Sequence, residues 1–511
     1  MSASTPTRPR PGSTITMTAL MSACVVVVVA MVAAINLALP ALAASDLQPT
    51  STGLLWIVDS YILVFGCLLI PAGAIADRVG RKGVLLTGLG TFTAGCVASA
   101  AAPTVMILLG ARALTGLGAA LVMPATLSLL MQVTSPERKP HAIATWSAAT
   151  GAAGALGNLG GGLILQWLPW QGLYLIIGPL AGVLAVLVAR KAPPGERRPA
   201  SLDPVGTGLL TGSVFVLLLA IIEGPEQGWT SAFVLAAGFG AGVLVVGFIA
   251  QARRSDHPML DPTIFRINHL RTGSVGVAAV FFGLFALFFV NAQYLQYAKG
   301  YTALATGIAI LPLPLAMVVV SRRSVGLAQR VGVRPVVTAG LLLLAAGVIA
   351  LSFATASTPY LPYSAALVLV AVGMGLAVPS LSTGIVTSLP TEQAGVGSGI
   401  NSAAREIGAA LGVAVIGSVL ASTFQRSLPE ELQSEGRSAF QILRTADQLG
   451  PTVHSQAISA FTNSMAVGLW VISIVVVAAA IVVGCRAPGD RTIVLFAGLA
   501  GTGSRQFVSR R

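Results

Sequence analysis

The stretch Gly73-Ala74-Ile75-Ala76-Asp77-Arg78-Val79-Gly80-Arg81-Lys82 closes one long apolar run and opens the next. Gly73 and Gly80 let helices approach closely and let the chain turn sharply. Asp77 stands at a helix end near three basic residues, where it can pair across a gate and separate when two halves rotate. The pattern returns as Gln329-Arg330-Val331-Gly332. Other stretches repeat in the same order, about 255 residues apart. Leu121-Val122-Met123-Pro124 reappears as Leu376-Ala377-Val378-Pro379, and Gly154-Ala155-Leu156-Gly157 as Ala409-Ala410-Leu411-Gly412. Ser135-Pro136-Glu137 is echoed by Leu389-Pro390-Thr391-Glu392. Both copies start on the same side of a membrane, so the chain reads as a parallel duplication. Such halves bind substrate between them and alternate access by rocking.

Around this repeat the composition leaves little room for a soluble protein. Of 511 residues 55% are hydrophobic and 9% charged, against roughly 25% charged in soluble domains; mean hydropathy is +0.85. The net charge of +13 does not point to nucleic acid, because the basic residues sit in short clusters between apolar runs, as membrane topology requires. Cys24, Cys67, Cys96 and Cys485 fall in or beside apolar segments without metal-ligand spacing, and read as small packing residues.

A helix needs about 20 apolar residues to cross the hydrocarbon core. Spans are expected near 18–40, 54–73, 83–101, 105–131, 140–166, 170–190, 205–223, 230–251, 272–298, 303–321, 334–355, 360–385, 395–422 and 461–485. Between His141 and Arg190 there is no charge, yet the segment is too long for one crossing, so it must turn at Trp167-Leu168-Pro169-Trp170-Gln171-Gly172. A second uncharged hairpin, between Arg334 and Glu392, turns at Ser357-Thr358-Pro359-Tyr360. With the N-terminus inside, Arg78, Arg81, Lys82, Arg138, Lys139, Arg190, Lys191, Arg253, Arg254, Arg322, Arg323, Arg330 and Arg334 are all cytoplasmic. That asymmetry obeys the positive-inside rule and predicts a cell-membrane protein with both termini in the cytoplasm. Arg8, Arg10, an apolar run and Ala41-Leu42-Ala43 imitate a cleavable signal, but the run is too long for one. The expected fold is all-α and polytopic: a cytoplasmic tail over 1–17, a six-helix bundle over 18–200, two linker helices over 201–255, a second six-helix bundle over 256–486, and a tail over 487–511 to which no role is assigned.

The loop at 73–82 resembles the signature loop of the major facilitator superfamily. Asn36-Leu37-Ala38-Leu39-Pro40, Trp56-Ile57-Val58-Asp59-Ser60-Tyr61, Leu202-Asp203, Gly228-Trp229, His257-Pro258, Tyr294-Leu295-Gln296 and Gly408-Ala409-Ala410-Leu411-Gly412 resemble its fourteen-helix drug:proton antiporters, including the quaternary-ammonium exporters. The resemblance covers roughly 15 to 485. It implies a secondary active exporter coupled to proton entry. It also implies that the gating loop is Gly73, Asp77, Arg78, Gly80, Arg81 and Lys82. An arginine inside the fourth span, Arg112, is costly in lipid and so a functional candidate; it resembles the family's buried arginine linked to proton movement, followed by Gly116 and Gly118. In the fifth span Ala153, Gly157, Gly160, Gly161 and Gly162 make a small-residue face for close packing, similar to the antiporter motif that limits leak.

Three positions depart from that pattern. Met31 stands where these antiporters have an aspartate, Asn158 replaces a proline, and Met317 replaces an acid carried by some dication exporters. Of the 17 acids only Asp59 and Glu406 lie within spans. Asp59 is expected to approach Arg112, its protonation releasing the arginine. Glu406 follows Arg405 near the inner end of span thirteen, an arrangement that reads as a structural pair before a carrier. Asn36, Tyr61, Asn291, Gln293, Tyr294 and Gln296 are the polar and aromatic candidates for the substrate cavity, with interhelical hydrogen bonding as their alternative role. An acid-poor cavity suits amphipathic monovalent, neutral or anionic compounds. No His cluster, nucleophile set, metal spacing or phosphate loop appears, so no enzyme activity, metal or cofactor is expected. The chain is expected to work as a monomer, with a small amphipathic molecule, protons and the bilayer as partners. An uncoupled facilitator, or a dedicated exporter of one secreted metabolite, is the alternative.

Overall fold

The computed structural model describes residues 11–43, 45–49, 51–193, 203–255, 258, 261–390, 393–428 and 439–486. The expected tail over 487–511, and Leu202 and His257 of the resembling stretches, lie outside them. Among the described residues every regular element is helical: α1 Pro11–Ala43, α2 Ser51–Val79, α3 Arg81–Ala100, α4 Val105–Val133, α5 Lys139–Trp167, α6 Gln171–Lys191, α7 Pro204–Gln227, α8 Ala232–Arg254, α9 Asn268–Gln293, α10 Ala303–Ile310, α11 Pro312–Val331, α12 Val333–Ser352, α13 Tyr360–Thr387, α14 Ala394–Ser427, α15 Ala439–Leu449 and α16 Pro451–Arg486. Fourteen spans are long and apolar enough to cross a membrane. They coincide with the expected ones because lipid offers the backbone no hydrogen-bond partners, so each crossing must be an unbroken helix. The two uncharged hairpins turn where expected, between Trp167 and Gln171 and between Ser352 and Tyr360.

Two irregularities depart from the expected spans. The ninth span continues past α9 as a π-helical turn over Tyr294–Ala298. The tenth span breaks at Leu311, before Pro312 and Pro314, so α10 and α11 form it in two pieces, as the missing proline donors require. Short amphipathic α15 lies outside the fourteen spans and buries Ile442, Leu443 and Ala446 in the second-half core.

The duplication is visible in the packing. Gly88 and Gly118 bring α3 and α4 into backbone contact, and Gly340 and Gly373 do the same for α12 and α13. Gly157 sets α5 on the Ala30 carbonyl of α1, while Gly408 and Gly412 set α14 on the Ala278 and Phe282 carbonyls of α9. Four residues separate α3 from α4 and seven separate α12 from α13, so the offset between the copies steps up at that turn. Gly80 (φ 118°) and Gly332 (φ 108°) take equivalent left-handed turns, which side chains disfavour. One hydrophobic core lies almost wholly within the first half and another within the second. Between them α7 packs on α2 and α14, and α8 packs chiefly on α7.

The α1–α5 crossing carries a stability prediction. Gly157→Val would drive a branched side chain into the Ala30 carbonyl, whereas a Cβ at Gly160 meets nothing within 4 Å. Overpacking costs about 1–3 kcal/mol or more. Gly157→Val is expected to lose most monodisperse protein on size exclusion of the solubilised chain, with Gly160→Ala retaining it.

Candidate functional site

Three groups of polar residues interrupt this apolar scaffold. The first lies at the basic ends of the helices. Asp77, in the last turn of α2, accepts on one carboxylate oxygen from Arg81 Nε (3.1 Å) and Nη2 (2.9 Å). Its other oxygen accepts from the Val396 amide at 3.1 Å. Val396 is in the first turn of α14, so a carboxylate of one half sits on the helix N-terminus of the other, where orphan amides and the helix dipole favour negative charge. Arg81 also donates to the Ser128 carbonyl of α4, and the carboxylate and guanidinium are only 8% and 11% exposed. Lys82 donates to the carbonyls of Ala189 and Ala192 and so closes the C-terminal end of α6. Nearby, burial and the Arg81 charge hold the Lys139 ammonium below the ordinary lysine value. Gly73 is buried and Arg78 is half-buried.

Above this clasp the halves stay shut. A Cβ at Gly399 of α14 would meet the backbone of Leu69 and Ile70. Ser398, Asn401 and Ser402 are fully buried, and their side-chain polar atoms have no hydrogen-bond partner. Unsatisfied buried groups each cost about 1–3 kcal/mol. The closed seam therefore carries a cost that hydration on opening would remove.

The second group lies inside the first half. Arg112 is fully buried. Its Nε donates to the Ile57 carbonyl at 2.9 Å, and its guanidinium lies 4.7 Å from the Tyr61 ring centroid. Nη1 and Nη2 have no hydrogen-bond partner. Tyr61 in turn donates to the Val28 carbonyl of α1. Ile57 and Tyr61, four residues apart, share one face of α2; Asp59 lies about 200° from Ile57 on the other. Asp59 instead falls in line with Gly66, Gly73 and Asp77, by spacings of seven, seven and four residues. Gly66 meets Leu218 of α7 on this line, and Asp77 meets α14. Gly116 and Gly118 follow Arg112 and bring α4 against the backbones of Tyr61 and Phe92. Gly161 and Gly162 extend the α5 face along Ala34 and Leu37 of α1.

The third group lies between the halves. A small cavity is lined by Val29, Thr150, Gly151, Gly154, Phe281, Leu284, Phe285, Phe288, Arg405 and Glu406. Glu406 is twelve residues past Ala394, which is about 18 Å of helix, so it is mid-bundle and not at the inner end. Arg405 is 1% exposed, 4.1 Å from the Phe281 ring centroid and 5.3 Å from that of Trp146. Its Nη atoms have no hydrogen-bond partner, so no hydrogen bond ties them to Glu406, although the two charges act on each other. Met317 of α11 packs against Gly151 of the lining.

The six sequence candidates for the cavity are placed elsewhere. Asn36 is exposed and donates to Val32 O. Tyr61 is under Arg112. Asn291 is buried with an unpartnered Nδ2, Gln293 donates to Phe289 O, and Gln296 is half-buried. Tyr294 stacks on Tyr363 and donates to Thr355 O. Sequence reading passed over the lining aromatics and glycines, which look like any other membrane-helix residues. Arg405 did carry a signal, being a charge inside a span.

Two parallel six-helix halves, an inter-half cavity and a breakable clasp at one end define a membrane carrier of the rocking type. The chain belongs to the Major Facilitator Superfamily, which it matches over residues 21–219 and 204–413. It is 34% identical over 412 residues to the multidrug resistance protein Stp of Mycobacterium tuberculosis, covering 78% of this chain and 74% of that one. To the multidrug efflux pump LfrA of Mycolicibacterium smegmatis it is 29% identical over 461 residues, covering 88% and 91%. The crystal structure of the human organic anion transporter MFSD10 shares the fold, with a TM-score of 0.61 at 16% identity over 91% of this chain and 100% of that one.

Proposed function

We propose that this protein is a proton-coupled exporter of amphipathic small molecules, acting as a monomer in the cell membrane with both termini cytoplasmic. The observation that carries the reading is Glu406: one carboxylate in the cavity between halves that are clasped at their basic ends. Drug-efflux relatives spanning most of the chain support the direction of transport. The basic clusters at one end support the orientation.

Glu406 is the exchange group. Protonated, it has no charge for a cationic substrate group; ionised, it attracts one, so proton and substrate exclude each other. Asp77 and Arg81 form the cytoplasmic gate with Gly73, Arg78, Gly80 and Lys82 around the turn. Asp59, on the α2 line that faces α7 and α14, and Arg112, inside the first half, tune the outer side of the rocking motion. Asn36, Asn291, Gln293 and Gln296 are assigned to substrate entry and not to the cavity lining. Met317 on Gly151 leaves Glu406 the sole acid of the lining, which disfavours dications.

The driving force suffices. One proton moving down about 100 mV releases about 2.3 kcal/mol, and one pH unit adds about 1.4, enough for a gradient of a few hundredfold. Inverted membrane vesicles energised by respiration are expected to accumulate a cationic or zwitterionic dye, and to release it when a protonophore is added. Accumulation indifferent to the protonophore would sink the reading. In the same assay Asp59→Asn is expected to slow uptake about two- to tenfold and leave it protonophore-sensitive. Complete uncoupling by Asp59→Asn would move the exchange site from α14 to α2.

A further inference from the structure

The charges in the inter-half cavity do not add up to a cation receptor. Arg405 and Glu406 are the only charged residues of its lining, and they are consecutive on α14. Neighbours on a helix diverge by about 100°, which keeps the guanidinium from closing on the carboxylate. Among the described residues no hydrogen bond or ion pair joins them, and both terminal nitrogens of Arg405 are buried without a partner. Phe281 and Trp146 hold the guanidinium plane at 4.1 and 5.3 Å but supply no acceptor. Arginine cannot discharge itself by losing its proton, so its two terminal nitrogens stay buried beside the cavity as unspent donors.

We infer that this cavity is a two-charge receptor whose preferred substrate is an aromatic zwitterion, its anionic group held by Arg405 and its nitrogen cation by Glu406. A cationic ligand would satisfy Glu406 and leave Arg405 bare; an anionic one would do the reverse. A cation leaves the Arg405 nitrogens unpaired, and an anion leaves Glu406 either charged and unpaired, which costs far more in a buried site than an exposed one, or protonated and unused. A ligand carrying both charges leaves neither. Its body would lie on Phe285 and Phe288, whose rings meet edge-on at 6.0 Å. The inference rests on the carrier reading for its biological meaning, not for its test.

The test is equilibrium binding to the purified full-length protein, followed by fluorescence anisotropy. Three dyes of one shape differ in charge: a rhodamine with a free carboxylate (zwitterion), its methyl ester (monocation) and fluorescein (anion). The zwitterion is expected to bind at least about tenfold more tightly than either of the others, as charge-assisted hydrogen bonds imply. Arg405→Gln is expected to erase its advantage over the ester, and Glu406→Gln its advantage over fluorescein. Arg405→Lys should keep part of the first advantage. Variants are compared after size exclusion, and the wild-type ranking alone decides if one fails to fold.

An ester that binds the wild-type protein as tightly as the acid overturns the inference, as does an acid-to-ester ratio that survives Arg405→Gln, or no binding by any of the three. Vesicle uptake of the same dyes separates this from the carrier reading. Equal binding with protonophore-sensitive uptake leaves an exporter without charge matching. The expected ranking without energised uptake leaves the receptor and removes the exporter.

Discussion

Glu406→Gln is expected to abolish pH-gradient-driven accumulation in proteoliposomes, by at least about 100-fold, while leaving the protein folded and inserted. The substitution keeps the shape of the side chain and removes its capacity to exchange a proton. No other carboxylate lines the cavity, so nothing replaces it there. Arg405 then stays the one charge of the lining, and a cationic group is repelled. The expected phenotype is a protein that neither couples nor concentrates, measured as dye uptake against an imposed gradient. Substantial gradient-driven uptake by the variant would place the exchange group elsewhere, with Asp59 next in line.

Asp77→Asn is expected to open the gate at the basic side. The carboxylate holds two bonds from Arg81 and one from the Val396 amide, each half-contact drawing on its charge. Charge-assisted hydrogen bonds contribute about 1.5–3 kcal/mol each, and a helix N-terminus adds up to about 2 kcal/mol in a partly buried setting. An amide keeps some hydrogen bonding, so a net loss of about 2–3 kcal/mol is expected. That shifts the closed-to-open ratio about 30- to 150-fold. The buried, unpartnered Ser398, Asn401 and Ser402 push the same way, since opening hydrates them. Ser398→Cys, in a chain otherwise freed of cysteine, reports the change through its labelling rate with a water-soluble maleimide. Labelling should be slow while Asp77 is intact and at least about tenfold faster once Asp77→Asn is added. Equal rates would mean the clasp does not hold the gate.

The span count was legible from sequence because lipid demands a simple thing of each segment: about 20 apolar residues in one helix. The turn at Gly80 and its partner at Gly332 were legible for the same reason, as short basic interruptions with a glycine. The clasp was half legible. Asp77 announced itself, but its partner is the backbone amide of Val396, which no side chain advertises. The cavity was not legible. Its lining mixes Val29, Gly151, Phe285 and their neighbours, and membrane helices are apolar all round, so no stripe marks the inner face. The polar residues singled out instead, such as Tyr294 and Tyr61, spend their hydroxyls on Thr355 and Val28 carbonyls, as buried phenols must. One relation could have been read earlier. Asp59, Gly66, Gly73 and Asp77 share a helical line by spacing alone, opposite the face with which Ile57 and Tyr61 meet Arg112.

The most direct test of proton-coupled exchange is substrate-induced proton movement. Purified protein is reconstituted in liposomes holding a pH-sensitive dye, at zero pH gradient and zero potential, and substrate is added on one side. The account predicts that substrate entry drives protons out at a rate set by substrate, and that Glu406→Gln loses the signal. Substrate that equilibrates across the membrane with no proton flux would contradict it, and would make the protein a facilitator.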